Sequence, residues 1–357
     1  MNAAPLIVRC GAFGDMVLLT PLIRLLAARH GRPVDLLSAG AWTVPLLGAM
    51  PELGRIQLLT SRNTPFALCP SQWAAVRWLR QRGRGPVYLC DVGDKIRELL
   101  SRAGVDADDV IDCLARPPEK AATLGTWPDL WIEVGMRDPP RHGATHPVAD
   151  PTQYRFPRLP VDAGQRAELE RWMRQQRIDG PLILFQPGNK RTHKRGKLGT
   201  LQQNKFWPPE RWAQVAQAVL DAHPDGRVAL CGSRLEYSVL EAIRHGCADH
   251  RVLNLSRELP VPRLIAMLER AHSMISVDTG PAHAAAALGC PLVVLFGAAP
   301  IELWRPLGPG AVRIVGGGSP SCRVDDIGAA AVIDHWRAVN LALGSSRDGA
   351  LPTVPER

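Results

Sequence analysis

Long apolar runs are missing from this sequence of 357 residues. Arg9, Asp15 and Arg24 interrupt the apolar start before a signal-peptide core or a membrane span can form. Apart from ten Trp, aromatic residues are scarce, with three Tyr and six Phe, so a stacking platform for nucleic acid is not evident. C-x-x-C spacing is absent among the eight cysteines at 10, 69, 90, 113, 231, 247, 290 and 322. A zinc ribbon or a disulfide frame is therefore not expected, and the cysteines read as small buried hydrophobes in a reducing, cytoplasmic setting. A complete G-x-G-x-x-G fingerprint, a Ser–His–Asp order and a cysteine nucleophile signature are also lacking.

What is present is a basic chain, with 43 Lys+Arg against 34 Asp+Glu and a formal net charge of +9. Such a surface favours anionic partners: phosphorylated substrates or acidic lipid head groups. Nucleic acid is disfavoured, because the basic residues are dispersed. The length predicts two domains.

Apolar strands alternate with amphipathic helices in both halves. In the first, 6–10, 34–38, 55–59, 86–90 and 110–114 read as strands, and 15–29, 41–49, 71–82 and 94–103 as helices. From 117 to 160 the composition turns to Pro, Arg, Asp and Trp without clear periodicity, which predicts a surface region and linker. The second half opens with a polar helix over 162–176. Strands are expected at 182–186, 227–231 and 251–255, and helices at 209–222, 235–245 and 261–270. A strand, tight turn, helix and strand follow over 273–296. A helix over 329–343 closes the domain, and 344–357 reads as a disordered tail. The expected class is α/β, with a 1–160 domain and a 161–343 domain, each a doubly wound parallel sheet. Two such sheets predict a cleft at the carboxyl ends of their strands.

Three turns carry chemistry. Ser276-Val277-Asp278-Thr279-Gly280-Pro281-Ala282-His283 lies between two strands. Thr279 or Gly280 caps the helix and Pro281 suits its first position, so backbone N–H groups and the helix dipole converge on an anion. An ordinary capped turn is the alternative. Gly11-Ala12-Phe13-Gly14-Asp15 opens the first helix. Asp35 stands at the distance a ribose contact would need, but Asp15 would repel a pyrophosphate there. An ionised carboxylate at that place suits a general base or a simple N-terminal cap. In the third turn, Gly188 permits close backbone approach beside Asn189 and Lys190, and Lys205 can reach a phosphate. The basic run 190–205 reads as a solvated loop or as a flap over an anionic ligand. Glu236 follows Gly232-Ser233 and suits a ribose diol or a first-turn carboxylate. His283 reads as a phosphate donor, a base or a structural histidine. Asp106-Ala107-Asp108 is formally D-x-D, but its position after a helix end predicts a turn, so no metal site is expected.

Taken in order, these motifs resemble glycosyltransferase family 9, the ADP-heptose:lipopolysaccharide heptosyltransferases. The likeness runs from Gly11-Ala12-Phe13-Gly14-Asp15 with Thr20-Pro21, through Pro187-Gly188, Lys205-Phe206-Trp207-Pro208 and Gly232-Ser233…Glu236, to Asp278–His283 and Phe296-Gly297. The resemblance implies a GT-B architecture of two Rossmann-like domains facing a central cleft, with the acceptor on the first and the nucleotide sugar on the second. It implies an inverting heptose transfer from ADP-heptose to a lipopolysaccharide core or other glycan acceptor, with no cofactor beyond the donor substrate. By the same resemblance Asp15 is the catalytic base, and Gly14 and Arg62 meet the acceptor. Lys205, Thr279 and Gly280 hold the diphosphate, joined on the donor side by Gly188, Asn189 and His283. Glu236 takes the ribose and Asp278 the heptose. The 190–204 loop is longer than the family's turn, and only Thr192 supplies a hydroxyl near the donor phosphates, which leaves other nucleotide sugars open. A peripheral contact with the inner membrane through the basic surface is compatible with such a role. Competing readings are a dinucleotide-dependent oxidoreductase and a non-catalytic sugar-nucleotide-binding protein.

Overall fold

Short runs rich in Leu, Ile and Val form buried parallel strands in both halves of the computed structural model, which describes residues 3–114, 125–189 and 204–347. The chain divides into two compact units, Met1–Pro160 and Val161–Arg357.

In the first unit the strands are β1 (Leu6–Val8), β2 (Val34–Ala39), β3 (Leu53–Leu59), β4 (Val87–Leu89) and β5 (Val110–Asp112). They pair in parallel in the order β3-β2-β1-β4-β5, with Ile7 opposite Leu36 on one side and Tyr88 on the other. The chain leaves β1 to one side and returns to its other side at β4, so the order reverses between these two strands. In open α/β sheets a ligand sits at the carboxyl edge of such a reversal. Leu6, Val8, Leu37, Val87 and Leu89 pack against Ala75, Trp78, Ile96 and Leu99. Those residues lie on helices α4 (Pro70–Gln81) and α5 (Asp94–Arg102).

The helix expected over 15–29 is two: α1 (Phe13–Leu18) and α2 (Thr20–His30). Pro21 has no N–H for the Val17 carbonyl, and the Thr20 hydroxyl donates to it instead at 2.8 Å. Short α3 spans Thr43–Leu47. The region expected to be a surface region and linker contains a buried helix, α6 (Trp127–Gly135), with a Thr126–Asp129 capping box. Trp127, Leu130, Trp131 and Val134 on it are all buried.

The second unit begins with α7 (Ala163–Gln175), capped by Asp162. Its strands are β6 (Leu182–Gln186), β7 (Arg227–Leu230), β8 (Val252–Asn254), β9 (Ser273–Val277), β10 (Leu292–Phe296) and β11 (Val312–Gly316). Their order is β11-β10-β9-β6-β7-β8, all parallel, with the reversal between β6 and β9. Helices α8 (Pro209–Ala222), α9 (Tyr237–Cys247), α10 (Val261–Arg270), α11 (Gly280–Ala287), α12 (Ile301–Trp304) and α13 (Ala329–Arg347) complete it. Every residue of β6, β9 and β10 is buried, the signature of a sheet covered on both faces. Trp207, Trp212 and Trp336 fill one side of this core. Trp207 donates to the Ile327 carbonyl and Trp336 to the Ser273 hydroxyl, so these two indole N–H groups are buried with a partner. The strand β11 has no counterpart in the expected elements, and α13 runs past 343 to Arg347; the rest of the tail and the loop over 190–203 lie outside the described residues.

Candidate functional site

In the first unit the residues following β1 and β4 interlock. Asp15 is the third residue of α1, and its Oδ2 accepts the Ala12 N–H at 2.7 Å. Its Oδ1 lies 3.3 Å from the guanidinium of Arg9. A Cβ on Gly11 would stand 2.6 Å from the Asp15 Cβ and 2.9 Å from Arg9 Nε, so glycine is required for the pair to form. Arg9 also donates to the Cys90 carbonyl at 2.6 Å. Its guanidinium lies 5.9 and 5.8 Å from the ring centroids of Trp127 and Trp131, which stack on each other. The Asp15 side chain keeps 20% of its surface exposed, whereas Arg9 keeps 11%. A carboxylate is thus presented to solvent by a cation that is itself packed away.

Asp91, buried just past β4, fastens the two turns together. It accepts the Cys10 N–H at 2.8 Å through one oxygen, and the Gly93 N–H and Arg62 at 3.2 and 3.1 Å through the other. Burial, and then the nearby Asp91 charge, push the Cys10 thiol up to about 12. Cys10 therefore stays protonated at neutral pH and offers no nucleophile. Arg62 lines a cavity of about 240 Å³ together with Thr64, Phe66, Lys95 and Arg102. Gly14, the second residue of α1, is half-buried beside Asp15.

Asp35 belongs elsewhere. It sits at the amino end of β2, where its carboxylate faces Arg82 at 3.5 Å and takes the Arg55 N–H at 3.0 Å. The carboxyl edge of the sheet is at the strand's far end, so the ribose contact of a dinucleotide site does not form. Asp106 caps the 3-10 turn that contains Asp108, and the two pair with Arg141 at 2.6 and 2.9 Å, the expected turn. Among the described residues no group of three or more His, Cys, Asp or Glu side chains could hold a metal ion.

In the second unit, register sets the site. Gln186 of β6 pairs with Ser276 of β9, so Gly188 and Asp278 leave adjacent strands at the same level. Phe185 pairs with Leu230 of β7, which brings the Gly232–Glu236 turn alongside. Gln186 holds the first turn by donating to the Gly188 carbonyl at 2.9 Å. A Cβ on Gly188 would fall 2.2 Å from Glu236 Oε1. The buried Glu236 accepts from the Ser233 N–H and hydroxyl at 2.6 and 2.8 Å, which fixes its other oxygen as a cap. Asn189 follows Gly188 and is half-buried.

Lys205 forms an ion pair with the buried Asp278 carboxylate and donates to the Asp278 carbonyl at 3.1 Å. The residues expected to serve phosphate and sugar separately are thus joined at the start of α11. Thr279 is the N-cap residue of that helix, but its hydroxyl lies 3.2 Å from Ser276 Oγ and does not cap it. Gly280 opens the helix, with Pro281 behind it, and His283 is buried one turn in. A Cβ on Gly297, past β10, would meet the Asn204 carbonyl at 2.4 Å, and Val324 donates to that same carbonyl at 3.0 Å. The backbone before Lys205 is therefore hydrogen-bonded to Val324 and passes close against Gly297 at the end of β10.

Arg9 and Asp91 received no site role from the sequence, and Gln186 and Ser233 were read only as members of their turns. Each is a polar residue at or just past the end of a buried strand. That position, a change from apolar to polar at the carboxyl edge, is the signal that would find them.

Two sheets with their first strand central and the order reversing beside it define a protein of the doubly wound α/β class. Residues 144–325 match the model of glycosyltransferase family 9 (heptosyltransferase), and the chain belongs to that family. It is 24% identical over 323 residues to lipopolysaccharide heptosyltransferase 2 of Escherichia coli K12, covering 85% of this chain and 86% of that one. Lipopolysaccharide heptosyltransferase 3 of Escherichia coli is 33% identical over 110 residues, and the match spans 29% of this chain and only 30% of that protein. The fold is shared with E. coli ADP-heptose lps heptosyltransferase II, at a TM-score of 0.73 and 20% identity over 96% of this chain and 99% of that one. It is shared also with E. coli heptosyltransferase WaaC with ADP, at a TM-score of 0.67 and 17% identity over 94% and 99%.

Proposed function

We propose that the protein is an inverting glycosyltransferase moving a heptose from ADP-heptose to a lipopolysaccharide core acceptor. Family membership and the heptosyltransferase names of its relatives support the substrate class. The observation that carries the reaction type is Asp15, a solvent-facing carboxylate fixed at the β1/β4 reversal by the Ala12 N–H and by Arg9.

In this reading an Asp15 oxygen takes the proton of the acceptor hydroxyl as that oxygen attacks the anomeric carbon of the donor. The bond from that carbon to the β-phosphate oxygen breaks, and ADP leaves with the electron pair. Attack from the opposite face inverts the configuration. Charge builds on the departing phosphate, where Lys205 and the start of α11 with Thr279 and Gly280 offset it electrostatically. Asp278, held by Lys205, orients the heptose, Glu236 meets the ribose, and Gly188, Asn189 and His283 complete the donor side. The cavity at Arg62, Lys95 and Arg102 suits acidic groups of the acceptor. An acceptor borne on lipid would set the enzyme to work at the inner membrane.

Asp15→Asn tests the base directly. Asparagine keeps an oxygen for the Ala12 N–H, so the helix cap survives while the basicity is lost. Transfer should fall by about 10²-fold or more, with ADP affinity and thermal stability unchanged. Transfer at the wild-type rate would remove Asp15 as the base; nucleotide binding with no transfer by the wild type itself would favour a non-catalytic nucleotide-sugar-binding protein.

A further inference from the structure

The surface around the 3-10 turn Phe66–Leu68 and the outer face of helix α4 adjoins the cavity at Arg62, and its composition is unusual. Leu68 is 73% exposed and Trp73 44%, although large apolar side chains are normally kept inside. On α4, Gln72, Ala75, Val76, Trp78 and Leu79 face the core, which leaves Trp73, Ala74, Arg77, Arg80 and Gln81 outward. Phe66, Trp73, Val76, Arg77, Arg80 and Gln81 line a shallow hollow of about 480 Å³ that contains no carboxylate among its described lining residues. Arg102 joins the rim, its guanidinium 4.9 Å from the Phe66 ring centroid, and Arg80 is held in place by donating to the Arg102 carbonyl at 2.8 Å.

We infer that this face docks on a lipid bilayer bearing anionic head groups. Its charge and its apolar groups fit that occupant together. The Trp73 Nε1–H already donates to the Phe66 carbonyl at 2.7 Å, so the ring can enter the head-group layer with its polar atom satisfied. Leu68 beside it supplies the apolar insertion, and Arg77 and Arg80 supply the positive charge, Arg102 being paired with Glu98 at 2.6 Å. The same charge argues against a second copy of this chain. In a two-fold contact Arg77 and Arg80 of one copy would approach those of the other, with no acidic lining residue to offset them. Phe66 also lines the cavity at Arg62, so docking here would hold that cavity beside the bilayer surface. The benefit for a lipid-linked acceptor rests on the proposed function; the docking itself does not.

Flotation of the full chain with vesicles tests it, without substrate, against pure phosphatidylcholine and phosphatidylcholine with a third of phosphatidylglycerol. The wild type should float with the anionic vesicles at least tenfold better than with the neutral ones, and added salt should release it. Arg77→Glu should weaken the binding about tenfold, whereas Arg77→Lys should retain it. Leu68→Asp should weaken it at unchanged thermal stability. Equal binding to both vesicle types, no binding, or full binding by Arg77→Glu and Leu68→Asp would overturn the inference. So would an oligomer or a complex with an acidic protein that depends on Leu68 while vesicles are ignored. A protein that floats but transfers no heptose leaves the docking intact and overturns only the proposed reaction. One that transfers to a water-soluble acceptor yet ignores vesicles does the reverse.

Discussion

Arg9 illustrates how a single side chain couples distant parts of the first unit to its candidate base. It touches Asp15, the Cys90 carbonyl and the faces of Trp127 and Trp131, so one guanidinium holds four groups at once. Lysine carries the same charge but is a point donor, unable to lie flat on two rings while bridging a carbonyl and a carboxylate. Arg9→Lys should therefore lower transfer about tenfold while leaving ADP affinity unchanged, because the geometry of Asp15 loosens and the second unit is untouched. Steady-state rates and ADP titration check this; an equal loss in both would mean a general folding defect. Asp15 stood out in the sequence as a carboxylate opening a helix after a glycine turn and as a match to the family motif, and the helix-capping alternative is also met through the Ala12 N–H. Arg9 did not, since an arginine ending a strand reads as solvated, and its partners lie some 80 and 120 residues further along the chain. Glu236 shows the opposite case. Its first-turn carboxylate reading is met, for Oε2 caps the Ser233 turn, while Oε1 faces Gly188.

At the level of elements, most strands and helices follow from periodicity, and the failures have physical causes. Helices 209–222 and 261–270 fall where proline at the first turn and an apolar stripe place them. The helix α6 was hidden by its proline-rich surroundings, although Thr126-x-x-Asp129 and the spacing of Trp127, Leu130, Trp131 and Val134 are a capped, one-faced helix. Composition over 117–160 outweighed pattern over nine residues. That helix packs against α2, and Trp131 at 1% exposure is its most buried side chain. Trp131→Ala should cost about 3–5 kcal/mol of stability. It should also lower transfer, because Arg9 loses half of its aromatic support. Trp131→Phe, which refills most of the space, should recover the greater part of both. Denaturant midpoints measured beside activity would show it; a stability loss with transfer fully retained would separate Arg9 from the tryptophans.

For the whole molecule, alternation of strand and helix predicted two parallel sheets, and both are present with the first strand central. Strand order itself is not written in periodicity. It follows from the handedness of crossovers and from where each sheet reverses, and the reversals are what gather Asp15 with Asp91 in one unit and Gly188 with Asp278 in the other. Because each sheet closes its own core, a ligand held at the β6/β9 edge stabilises the second unit specifically. Nucleotide at about 100 times its dissociation constant adds roughly 2.7 kcal/mol to the unit that binds it. ADP should therefore raise the midpoint of one thermal transition by several degrees, and UDP at the same concentration should raise it less. On the proposed function Lys205→Ala should reduce the ADP shift, since the diphosphate would lose its ammonium partner. Chelator should leave the shift in place if Lys205 and α11, rather than a divalent ion, meet the phosphates. An ADP shift that persists in Lys205→Ala but vanishes with chelator would reassign phosphate binding to a metal. An equal response to UDP would move the proposed donor from ADP-heptose to another nucleotide sugar.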